Sequence, residues 1–153
     1  MTTIPRAGSA FLLAQLGAHA AARFGERIAE LDLTPPQAGL LRAVATEPGR
    51  SQQALSGHLG MPASRLVSLV DGLADRGLLE RRRNPDDRRL HALHLTAAGE
   101  EMLGRVAAAG RAHEDELLAA LDGAERDTLH ALLTRIAERQ GLTPGVHPGY
   151  KRV

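Results

Sequence analysis

The chain of 153 residues has no cysteine, no tryptophan, one tyrosine and two phenylalanines. Without cysteine, disulfides, thiolate metal sites, iron–sulfur clusters and nucleophilic-thiol chemistry are excluded. An aromatic content of 2% offers almost nothing for bases or sugars to stack on, which argues against single-strand binders and RNA-recognition sheets. No apolar run approaches the roughly 20 residues that span a bilayer. The opening Met1-Thr2-Thr3-Ile4-Pro5 lacks a signal-peptide pattern, so a cytoplasmic location with no membrane partner is expected. Phosphate-cradling GxGxxG or GxxxxGK loops are missing, as is any serine–histidine–acid arrangement. Neither catalytic residues nor a cofactor is expected, and the chain reads as a non-enzyme.

What is present is enough apolar residue, 43%, to build the core of one domain over residues 1–153. The net charge of +1 hides an uneven distribution. Residues 97–139 carry five basic and nine acidic groups, whereas Arg81, Arg82, Arg83, Arg88 and Arg89 fall within nine positions. A near-neutral chain with one dense arginine cluster points to a local anionic partner.

Residues 9–31 read as a long helix with Ser9 as its cap, since Leu12, Leu16, Ala20, Phe24 and Ile28 recur every four residues. Thr34-Pro35-Pro36-Gln37 is a capping box with proline at the first helical position, and Leu40, Leu41 and Val44 continue it to Glu47-Pro48-Gly49. Ser51 caps a short third helix that ends at Gly60. Pro62 opens a fourth, in which Leu66, Leu69, Val70 and Leu73 form the i, i+3, i+4, i+7 set. From Leu78 the period drops from 3.6 to 2 and two short strands flank the turn-rich Arg83-Asn84-Pro85-Asp86-Asp87. Thr96 caps a return to helix, and Asp122-Gly123-Ala124-Glu125 is a second capping box. Leu129, Leu132, Leu133 and Ile136 are placed inward on the last helix. Pro144, Gly145, Pro148 and Gly149 mark residues 140–153 as a mobile tail. The expected fold is mainly α with a small two-stranded β-wing.

Two short helices joined at Gly60-Met61 have the form of a helix-turn-helix, whose second helix enters the major groove of duplex DNA. At its start stand Pro62, Ala63, Ser64, Arg65, Val67 and Ser68. Arginine bonds guanine bidentately, serine bonds either kind of base, and valine contacts a thymine methyl. The wing offers Arg83, Arg88 and Arg89 to phosphates or a narrow minor groove. Asp87 stands two positions before Arg89 and pre-orders it. An ordinary surface helix and a solvated basic loop are the bland alternatives.

Leu69-Val70-Asp71-Gly72-Leu73-Ala74-Asp75-Arg76-Gly77-Leu78-Leu79, then Asn84-Pro85-Asp86-Asp87-Arg88-Arg89, leads to Leu93-His94-Leu95-Thr96-Ala97-Ala98-Gly99. This order resembles the MarR family of winged-helix bacterial transcription regulators, over roughly residues 9–139. The resemblance implies that residues 62–76 are the recognition helix, and that Arg89, with Arg88, is the minor-groove arginine oriented by Asp87. Ser68 departs from the family, where a basic residue is common. A winged-helix core at 34–96 would be flanked by dimerisation helices at 9–31 and 97–139, since apolar stripes of that size mark an interface. Their pairing in a homodimer would set two recognition helices about 34–36 Å apart on a pseudo-palindrome. Resemblance also implies a crevice for a small aromatic or anionic ligand that releases DNA. His19 and Arg23, one helical turn apart, are the candidate anion contacts, or else a solvated edge of the dimer seam. No metal site is expected, because His91 and His94 point to opposite faces of a strand and His113 and His130 stand isolated on helices. The competing function is a winged-helix module that binds protein and not DNA.

Overall fold

Six α-helices and one two-stranded antiparallel sheet make up the computed structural model, which describes residues 4–87 and 91–151. In chain order they are α1 (Ser9–Ala29), α2 (Pro35–Thr46), α3 (Gln52–Leu59), α4 (Ala63–Asp75), β1 (Leu79–Arg83), β2 (His91–Leu95), α5 (Ala97–Leu117) and α6 (Gly123–Arg139). A short 3-10 turn, Pro148–Lys151, follows. This is a mainly helical winged-helix fold, as the periodicity predicts.

Side chains start most of these helices. Thr34 Oγ1 accepts from the Gln37 amide while Gln37 Oε1 accepts from the Thr34 amide at 2.9 Å. Asp122 and Glu125 repeat this exchange, both at 2.9 Å. Ser51 and Thr96 cap α3 and α5 through the amides of Ala54 and Gly99. Each such cap satisfies a donor that the helix leaves orphaned. The expected cap at Ser9 is not used. Gly8 is the N-cap, with no side-chain bond, because α1 begins one residue earlier and takes Ser9 into its first turn.

The core lies between α2, α3, α4 and the sheet. Leu40, Leu41, Leu55, Leu66, Val70, Leu73 and Leu93 are fully buried, and Ile28 from the end of α1 joins them. Burying each such side chain stabilises the fold by about 1.5–3 kcal/mol. Among the described residues no polar or charged residue is buried with them. In the wing Leu79 pairs with Leu95, Arg81 with Leu93 and Arg83 with His91. The Gly49 amide donates to the Leu93 carbonyl and the Leu93 amide to the Arg50 carbonyl, so the α2–α3 connection lies along the free edge of β2.

The outer helices bury far less. α6 has no buried residue, and Leu132, Leu133 and Ile136, expected inward, are 39–46% exposed. Nothing of the winged-helix core covers them enough to bury them. Phe11 and Leu16 on the first half of α1 are more exposed still. Of the tail expected to be mobile over 140–153, residues 140–151 are described, and they turn back onto the body. Gly141 takes a left-handed φ of 71° and reverses the chain. Val146 and Tyr150 then pack partly buried against the core, and Arg42 Nη2 donates to the Gly145 carbonyl at 3.2 Å. Two apolar side chains in a Pro/Gly-rich stretch are enough to seat it.

Candidate nucleic-acid interface

The turn between α3 and α4 is built by Gly60, whose φ of 64° and ψ of 25° suit a residue without a Cβ. Ser56 spans it, its hydroxyl donating to the Met61 carbonyl at 2.7 Å while its carbonyl accepts the Met61 amide. Buried Met61 plugs the turn from inside. With Leu66, Val70 and Leu73 locked into the core, α4 turns Ala63, Ser64, Val67 and Ser68 outward, and Pro62 forms its N-cap. Five of the six expected recognition residues therefore share the tip and outer face of one fixed helix.

Arg65 is the sixth, and it stands apart. It is half-buried on the flank of α4, where its Nη1 donates to the Tyr150 carbonyl at 3.2 Å. Arg76, on the same flank, donates to the Asp32 and Leu31 carbonyls and ties the end of α4 to the α1–α2 connection.

The arginine cluster of the wing divides by partner. Arg81 pairs with Asp71 of α4 and donates from Nε to Gln52 Oε1 at 2.6 Å, which joins the sheet, α4 and α3. Its register opposite buried Leu93 was the signal for this inward role. Arg82 folds onto Glu80, at 2.8 Å from Nε. Arg83 is exposed at the strand end and has no ion-pair partner among the described residues, while Asp87 is exposed beyond it. Arg88 and Arg89 lie outside the described residues.

A cavity of about 570 Å³ opens between α1, the start of α2, α5 and the returning tail, lined by Ala20, Phe24, Pro35, His113 and Tyr150 among others. The Tyr150 hydroxyl donates to the Pro35 carbonyl at 3.4 Å, and burial pushes its phenol above the usual 10. Phe24 and His113 stack obliquely, ring centroids 5.6 Å apart. His113 is held below its ordinary 6.5, first by partial burial and then by the Arg27 guanidinium. It is thus not isolated, as the sequence pattern suggests, but part of the α1–α5 seam. His19 and Arg23 border a smaller cavity of about 220 Å³ beside it. Arg23 spends its guanidinium on Glu26 at 2.7 Å and Glu116 at 3.0 Å, and Arg27 also pairs with Glu116. An anion at Arg23 would have to displace a carboxylate. Among the described residues no group of three or more side chains could hold a metal ion, and no helix is long and apolar enough to cross a membrane.

Comparison with known proteins bears on this arrangement directly. A family model described as MarR family matches residues 31–90, from the α1–α2 connection into the wing. A protein of Thauera aromatica, assigned to transcriptional regulation of the hcr operon, is 37% identical over 112 residues, covering 73% of this chain and 68% of its own. The chain belongs to the MarR family of transcriptional regulators. As a MarR-family regulator it is not an enzyme. Another relative is the transcriptional regulator HosA of Escherichia coli O111:H-, 32% identical over 105 residues, which are 69% of this chain and 78% of HosA. Among solved structures, the transcriptional repressor CouR bound to a 23-mer DNA duplex superposes with a TM-score of 0.76 at 34% identity, covering 85% of this chain and 92% of CouR.

Proposed function

We propose that this MarR-family chain is a cytoplasmic, homodimeric regulator that reads double-stranded DNA with α4 and grips the flanking duplex with its wings. One observation carries the reading. The outer face of α4 presents small hydrogen-bonding side chains, Ser64 and Ser68, beside Val67, on a helix whose opposite face is locked in the core. Such a face fits the floor of a major groove, where serine bonds base edges and valine meets a thymine methyl. Arg83, Arg88 and Arg89 supply the cationic contacts of the wing, with Asp87 orienting Arg89. CouR, solved bound to a DNA duplex, is a relative with the same fold.

The dimer rests on the exposed stripes of α1 and α6, which a second copy would cover. The cavity beside Phe24 and Tyr150 is the place for a releasing ligand. Its apolar lining with two imidazoles and one phenol suits a small aromatic molecule with a polar substituent. The polar end would meet His113 or Tyr150 more readily than Arg23, which its carboxylate partners already hold.

The test is a salt-series gel-shift titration on a duplex selected from a random library. Arg89→Ala is expected to weaken binding and to make the salt slope shallower by about one unit. Unchanged affinity and slope would remove the wing from the reading. No binding of the parent chain to any duplex would favour a protein-interaction module instead.

A further inference from the structure

We infer that the carboxy-terminal segment, residues 144–151, is an intramolecular latch that competes with DNA for Arg65. The inference rests on the DNA-reading role of α4 proposed above and adds a regulatory element to it.

The segment is seated, not draped. Tyr150 lies over Gly39 of α2 so closely that a Cβ there would meet its hydroxyl and stand 2.8 Å from its Cζ. Only glycine leaves room for that ring. The Tyr150 hydroxyl donates to the Pro35 carbonyl and Arg42 donates to the Gly145 carbonyl. The stem of Lys151 crosses Gly60, where a Cβ would lie 3.0 Å from its Cε. The segment therefore reaches from α2 to the turn of the helix-turn-helix, and at its far end the Tyr150 carbonyl takes the Arg65 guanidinium.

That bond turns Arg65 away from the reading face. Successive residues on a helix are about 100° apart, so Arg65 lies a quarter-turn from Ser64. Its flank is the one from which Arg76 bonds the Leu31 and Asp32 carbonyls, towards the protein body. To bond a base edge beside Ser64 and Ser68, Arg65 must leave Tyr150. Docking of the segment and reading of DNA by Arg65 thus exclude each other, and apparent affinity falls with the docked fraction. The bonds made by Arg42, Arg65 and the Tyr150 hydroxyl, at 3.2, 3.2 and 3.4 Å, are each longer than the usual 2.9–3.0 Å, which favours release of the segment.

Two variants of the full chain undock the segment by different routes. Gly39→Ala puts a methyl where the Tyr150 ring sits and keeps every charge. Truncation after Thr143 removes the segment outright, with the cations of Lys151 and Arg152. Both are measured by titration against one duplex, selected by the parent chain from a random library, with circular dichroism to confirm folding. Gly39→Ala is expected to tighten binding about fivefold, the equivalent of one hydrogen bond released. The truncated chain should also bind more tightly, despite its lost charge. In an Arg65→Ala background, Gly39→Ala should change nothing. If the parent binds and both undocked variants bind equally or more weakly, the latch is overturned and the DNA-reading role stands. A gain from Gly39→Ala that persists without Arg65 overturns it too. If neither the parent nor any variant binds duplex, the reading of α4 itself fails, and the latch with it.

Discussion

Residues 34–96 and the helices on either side of them meet the demand for burial in opposite ways. The first unit closes on itself, with Leu40, Leu41, Leu55, Leu66, Val70, Leu73 and Leu93 fully buried within one chain. The second leaves its apolar stripes in the open, since α6 buries nothing, α1 only Ile28, and α5 only Gly99 and Val106. Both carry leucines at helical spacing, so amphipathic patterning alone does not say whether a helix is satisfied by its own chain. What distinguishes them is reach. Helices of 21 residues, such as α1 and α5, extend about 30 Å, beyond anything a compact winged-helix core can cover. Their surplus apolar length is the structural argument for a second copy.

The contrast can be broken at the core first. Leu41→Ala, in a site with no exposure, should cost about 2–5 kcal/mol. Urea unfolding should register this loss equally at every protein concentration once association is saturated. If the loss were below 1 kcal/mol, the core would be far less tightly packed than its burial implies. Next comes the open stripe. Replacing Leu133 and Ile136 together with glutamate should leave the winged helix folded but weaken self-association by at least about tenfold, roughly 1.4 kcal/mol. Sedimentation equilibrium reads this directly, and an unchanged molecular mass would remove α6 from the proposed dimer. The smallest effect lies inside the outer region, at the seam between α1 and α5. Because folding holds His113 below 6.5, the unfolded chain takes up a proton there that the folded chain resists. Stability therefore falls as pH drops through about 6.5 towards the lowered folded value. His113→Gln should flatten that part of the melting-temperature profile slightly, and an unaltered profile would mean that the α1–α5 seam does not discriminate between the two protonation states.

Much of this architecture is legible in the sequence because helix caps are local. Thr34, Ser51, Thr96 and Asp122 each announce a helix at the next residue, and in the structure all four accept the amide three residues ahead. The outer face of α4 follows from its inner set in the same way. Three features were hidden because they depend on residues far apart in the chain. The role of Arg81 requires Asp71 and Gln52 to be brought together. The bond from Arg65 to Tyr150 spans 85 positions, and the Pro/Gly content of the tail argues against any contact there. The exposure of Leu132, Leu133 and Ile136 is likewise invisible to periodicity, which reports a face and not its neighbour. The seat for Tyr150 was written as a single glycine at position 39, whose purpose shows only once the ring is over it.

Thr96 and Gly99 fasten the wing to α5. The Thr96 amide donates to the Leu78 carbonyl and its hydroxyl to the Gly77 carbonyl at 2.5 Å, while a Cβ on Gly99 would collide with that same Leu78 carbonyl. No side chain can be accommodated at 99 without prising the helix off the strand. Any tilt imposed on the long helix is therefore handed to the strand root and the end of α4 as rotation about a pivot that has no slack.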